Sequence, residues 1–128
     1  MAGDLFIMVT NWENHWDNLP DNRASFAYGM LRDREKIEKI IKKVTQKDEK
    51  VQTLFVKVEK GTQRVQKAWV GYTYDFTKKR DAIFFKIDIR GTVNISLHGF
   101  RLIEGWYVIQ NIIPNPEIRT VNQLEPSI

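Results

Sequence analysis

The sequence predicts an α+β domain: a small, mostly antiparallel β-barrel with one or more flanking helices. Three observations carry this. From Thr53 onward, apolar and polar residues alternate with period two in segment after segment. Arg32–Val44 alone carries a helical stripe, with Ile37, Ile40, Ile41 and Val44 at i, i+3, i+4 and i+7. The extended segments follow one another through short turns, which suits antiparallel pairing. Twist in so small a sheet then favours closure, which leaves no exposed edges.

The elements follow in order. Leu5–Val9 is an unbroken apolar run and predicts a buried strand, since no residue in it offers a polar face. Asn11–Asn18 reads as a loop or a short helical turn, with Asn11 or Asn14 as its cap. Leu19-Pro20-Asp21-Asn22 is turn chemistry, and Ser25–Met30 a short extended piece. In the helix, Asp33 and Glu35 favour the N-terminal end and Lys42 and Lys43 the C-terminal end. Glu35 with Lys39, and Glu38 with Lys42, form i,i+4 pairs, so these lysines read as a solvated face. Thr45–Lys50 is a polar link. Leu54, Val56 and Val58 then alternate with Phe55, Lys57 and Glu59 before a turn at Lys60-Gly61. Arg64–Tyr74 places Ala68, Val70, Tyr72 and Tyr74 on one face, and Val65, Trp69 and Gly71 on the other. Thr77–Asp81 is expected as a charged turn. Ile83, Phe85, Ile87 and Ile89 form the next strand, Gly91 is expected to break it, and Val93, Ile95 and Leu97 resume it. Trp106–Ile113 is the last strand. Prolines 114, 116 and 126 mark an irregular tail from about residue 114.

Composition bounds the chemistry. The chain has 128 residues, 42% hydrophobic and 28% charged, which suits one domain over residues 1–128. Its longest apolar run falls far short of the roughly 20 residues that span a bilayer, and no secretory signal is evident. With Cys 0 there are no disulfides, thiolate zinc sites or cysteine nucleophiles, and a reducing, cytoplasmic setting is expected. Abundant Lys, Glu and Ile also suit a thermophile. A net charge of +4 permits contact with phosphate without demanding it.

Signals for catalysis are sparse. His15 and His98 lie far apart, and no HExxH, GxSxG, P-loop or GxGxxG occurs. Asp75, Asp81, Lys86 and Asp88 resemble the acidic–lysine sets of metal-dependent nucleases, which makes a small nuclease one alternative. Aromatic chemistry is richer: Trp12, Trp16, Tyr28, Trp69, Tyr72 and Tyr74. A ring stacks on a base by its face, and an amide such as Asn11 can read a Watson–Crick edge with a donor and an acceptor side by side. Arg32 and Arg34, beside a helix N-terminus, suit phosphate. Trp69, in mid-strand, reads as core. For Trp12 and Trp16, in a polar loop, core and pocket both stand.

The stretches FIMVTNWENHW, FAYGMLRDREKIEKI, KVQTLFVKVEKG and AWVGYTYDF resemble the EVE domain of the PUA-like superfamily, over roughly residues 5–90. The matching positions are Val9-Thr10-Asn11 with Trp16, Tyr28-Gly29-Met30, the helix from Asp33, Thr53–Val58 and Val70-Gly71. Tyr28 stands where the family usually has tryptophan. The resemblance implies a small β-barrel that binds modified nucleobases in an aromatic pocket, related to YTH readers. That pocket would be lined by Thr10, Asn11, Trp16, Tyr28 and Gly29, with Trp12 beside them and Arg32 and Arg34 toward phosphate. The expected function is thus a nucleic-acid-binding module, without cofactor, for DNA, RNA or a nucleotide. A protein-interaction domain using exposed aromatics is the other alternative.

Overall fold

A computed structural model describes residues 4–11, 16, 19–61, 64–94, 104–110 and 119–120. In chain order the elements are β1 (Asp4–Thr10), β2 (Arg23–Ala27), α1 (Arg34–Lys47), β3 (Val51–Val58), β4 (Val65–Lys79), β5 (Ala82–Asn94), β6 (Gly105–Gln110) and β7 (Arg119–Thr120). Short 3-10 turns at Pro20–Asn22 and Tyr28–Met30 flank β2. The strands form one curled, half-barrel sheet in the order β2-β5-β4-β3-β1-β6, with β7 added on β5. Among the described strands the ladders are antiparallel except between β1 and β3, which run parallel because α1 carries the chain back between them. Among the described residues no helix is long and apolar enough to cross a membrane.

The two ends of the sheet approach one another just after β2. Leu31 bridges to Trp106 in β6, and the Arg32 backbone N–H donates to the Trp106 carbonyl at 2.8 Å. Gly105 makes this possible. Its φ is +147°, and a Cβ there would sit 2.5 Å from the Met30 carbonyl oxygen.

The helical stripe behaves as its spacing predicts: Ile37, Ile40, Ile41 and Val44 are all buried. They join an aromatic core against the inner face of the sheet, containing Phe6, Trp16, Phe26, Phe55, Trp69, Phe76, Phe85 and Trp106. Trp106 lies at its centre, with ring centroids of Phe85 at 4.9 Å, Phe26 at 5.0 Å and Phe6 at 5.9 Å. Mostly edge-on or tilted, these contacts suit ring quadrupoles. A second apolar cluster (Ile7, Val9, Leu54, Val56, Val58, Ala68 and Val93) lies on the opposite face, so β1 and β3 are buried on both sides. That accounts for the unbroken apolar run of β1.

Several sequence expectations are corrected. The charged turn expected at Thr77–Asp81 shrinks to Arg80-Asp81, and Thr77, Lys78 and Lys79 continue β4. A bulge at Asp75 (φ 57°) re-aims the strand so that Phe76 enters the core while Thr77, Lys78 and Lys79 stay solvated. Gly91 does not break β5. Val70 pairs with Gly91 and Gly71 with Ile89, so Arg90 is the extra residue of a second bulge and the ladder continues past it. The helix extends beyond Val44 to Lys47, and its exposed ion pair is Arg34–Glu38 at 3.0 Å. Ile95 and Leu97 lie outside the described residues, and the tail contains the short β7, paired to Val93 and Asn94.

Candidate nucleic-acid interface

Among the described residues expected to form a base pocket, Thr10 and Trp16 are buried while Gly29, Arg32 and Arg34 are exposed. Thr10, at the end of β1, is fully buried, and Asn11 after it is half-buried. Trp12 lies outside the described residues. Trp16 is a core ring, 2% exposed. Its Nε1–H donates to the Val56 carbonyl at 3.0 Å, and Phe55 and Phe26 stand 5.2 and 5.9 Å from its centroid. The stacking role expected of Trp16 is corrected on that ground, because a base needs a ring face open to solvent. Tyr28 is half-buried against the edge of the core, with the Arg34 guanidinium 4.6 Å and the Lys78 ammonium 5.6 Å from its ring centroid. Gly29 is exposed, and a Cβ there would meet nothing within 4 Å. Arg32 and Arg34 are exposed near the start of α1, and Arg34 is engaged by Glu38 and Tyr28.

The nuclease set is not assembled either. Asp75 pairs with Lys86 at 3.1 Å, and Asp88 with Lys50 and Arg90. Among the described residues no three histidine or carboxylate side chains converge on a point that could hold a metal.

A different surface brings aromatic and cationic side chains together. Residues that pair directly across an antiparallel ladder share a face, so the register defines what lies on the outside of β3, β4 and β5. One row runs Gln52–Tyr72–Asp88; the next contains Tyr74, Lys86 and, on β2, Arg23; the third contains Thr77, Phe84 and Ser25. Inward-pointing neighbours such as Thr73, Phe85 and Ile87 are buried, whereas Tyr72 is 36% and Phe84 43% exposed. Each outward ring carries a cation. Lys50 Nζ is 4.5 Å from the Tyr74 centroid, Lys79 Nζ 5.4 Å from Phe84, and the Arg90 guanidinium 5.8 Å from Tyr72. At exposed sites such contacts hold by about 0.5–1 kcal/mol, so an incoming group can exchange with them.

Beside Phe84 the surface dips into a hollow of about 240 Å³ lined by Arg23, Lys79, Lys86, Asp75 and Thr77. Its cations outnumber its single carboxylate, which suits an anion. A larger groove of about 720 Å³ runs between α1 and β4, floored by Ile41, Phe76 and Ile83. Its rim mixes Glu35 and Glu38 with Lys39, Lys42 and Lys78, so it offers no comparable preference for phosphate.

Tyr72 and Tyr74 stand out in the sequence as aromatics on one face of a strand. Lys50, Lys79 and Arg90 do not, because nothing local shows which strand they will oppose. The only signal is the alternation of Phe84, Lys86 and Asp88 outside against Phe85 and Ile87 inside. No protein-family model, curated protein or solved structure matches this chain.

Proposed function

We propose that this protein is a non-enzymatic nucleic-acid-binding module on a PUA-like barrel of the EVE type, and that it contacts bases through the outer face of β3, β4 and β5. One observation carries the reading: Tyr72, Tyr74 and Phe84 lie outward on adjacent strands, each beside a cation, with an anion-suited hollow next to them. A ring face open to solvent stacks on any base, while Lys and Arg neutralise the backbone. The same chemistry that the resemblance assigns to the loop after β1 is thus offered by the sheet. A half-barrel of strands with one packed helix is compatible with the PUA-like assignment.

The test is fluorescence anisotropy of labelled DNA and RNA oligonucleotides at about 50 and about 200 mM salt. Binding is expected at both, weakening with salt but retaining a part that depends on the aromatics. Absence of binding at the lower salt sinks the proposal and favours a protein partner for the exposed rings. Divalent-metal-dependent cleavage of the oligonucleotide would instead revive the nuclease alternative.

A further inference from the structure

Asp88 occupies a particular place on this face. Its Oδ2 accepts from Arg90 at 2.9 Å through the terminal guanidinium nitrogen and at 3.2 Å through Nε, and from Lys50 Nζ at 3.4 Å. Lys50 and Arg90 are the cations that sit over Tyr74 and Tyr72. One carboxylate oxygen therefore gathers the two cations that cover the two rings. The side chains involved remain accessible: Lys50 is 45%, Asp88 28% and Arg90 60% exposed. Exposed ion pairs of this kind are weak, about 0.2–1 kcal/mol, and a phosphate can compete for them.

Resting on the nucleic-acid reading above, we infer that the face is selective for single strands and that Asp88 acts as an internal competitor of phosphate. A phosphate that takes Lys50 and Arg90 from Asp88 draws the cations off Tyr74 and Tyr72 and opens those rings to bases. Phosphate capture and stacking are then coupled. A single strand supplies both the anion and unstacked bases. A duplex supplies the anion, but its base faces are already stacked, so only the first half of the exchange is available to it. Tyr72 and Tyr74, two residues apart on one strand, stand about 7 Å apart along it, a separation an extended single strand can follow with successive bases. Phe84, on the neighbouring strand beside the cationic hollow, continues the track toward β2.

The experiment compares one labelled octanucleotide sequence, as DNA and as RNA, single-stranded and annealed to its complement. The proteins are the unaltered chain, Asp88→Asn and the double variant Tyr72→Leu with Tyr74→Leu. Thermal melting by circular dichroism establishes that each variant is folded. The expected results are tighter single-strand binding by Asp88→Asn, by a few-fold, and a loss of about tenfold or more in the tyrosine variant, since each base–ring stack contributes on that order. Duplex is expected to bind more weakly than single strand and to be nearly indifferent to the tyrosine changes. Equal affinity for duplex and single strand, or full affinity in the tyrosine variant, overturns single-strand selectivity while the broader reading stands on the binding that remains. Unchanged or weakened binding in Asp88→Asn overturns the competitor role. No binding of any oligonucleotide overturns both readings together.

Discussion

Strands β4 and β5 carry aromatic residues on both faces, and the two sets meet different surroundings. Inward, Trp69, Phe76 and Phe85 are at most 8% exposed and pack with the rings of the core. Outward, Tyr72, Tyr74 and Phe84 project beside cations, and Phe84 is 43% exposed. The two sets alternate along the same strands, so their intrinsic chemistry does not separate them. What separates them is the opposing surface: α1 and the curled sheet close over one face, while this part of the other face remains accessible. Ring burial on the inside stabilises the fold, whereas the outer rings keep part of their surface in solvent and meet cations in place of other rings.

The largest expected effect comes from breaking the inner set at its centre. Trp106→Ala removes a ring that contacts Phe6, Phe26, Phe76 and Phe85, and is expected to cost about 3–5 kcal/mol in urea denaturation. A loss below about 1 kcal/mol would mean that the cluster relaxes freely, contrary to close packing.

Gly71 tests the boundary between the faces. A Cβ at Gly71 would fall on the backbone carbonyl of Asp88, because the bulge at Arg90 presses β5 against β4 there. Gly71→Ala is expected to destabilise by about 2–3 kcal/mol, through strand separation rather than a cavity. Gly29→Ala is the matched control: with open space around it, a change within about 0.5 kcal/mol is expected. Equal melting temperatures for the two variants would refute the close approach.

The smallest effect sharpens the comparison from the outside. Phe84→Ser removes a whole aromatic ring, yet stability is expected to fall by no more than about 1 kcal/mol, because Phe84 is 43% exposed where the inner rings are buried. A cost near that of an inner ring would show that the outer face is packed and not available to a ligand.

Legibility in the sequence followed the range of the interactions. Ile37, Ile40, Ile41 and Val44 announce a helix and its buried face because contacts three and four residues apart decide them. Tyr72 and Tyr74 are legible as partners on one face because strand alternation is equally local. Trp16 is not legible. It sits among asparagines and charged residues, and its burial depends on Phe26, Phe55 and the Val56 carbonyl, which lies 40 residues away. The expected turn at Thr77–Asp81 failed for a related reason. Charged residues do not forbid a strand when partners at Ala82–Phe84 pair with the backbone and the side chains reach water.

By itself the sequence determined the α+β class, the amphipathic helix α1 and the alternation that sorts each strand into two faces. All of these rest on the geometry of neighbouring residues. Tertiary structure alone decided the parallel pairing of β1 with β3, the closure of β6 against Leu31 and the union of Lys50, Tyr72, Tyr74, Asp88 and Arg90 on one surface. Lys50 and Asp88 are 38 positions apart. Only strand register places them together, and register is selected by the packing of the whole inner face, since a one-residue slip would turn the core outward.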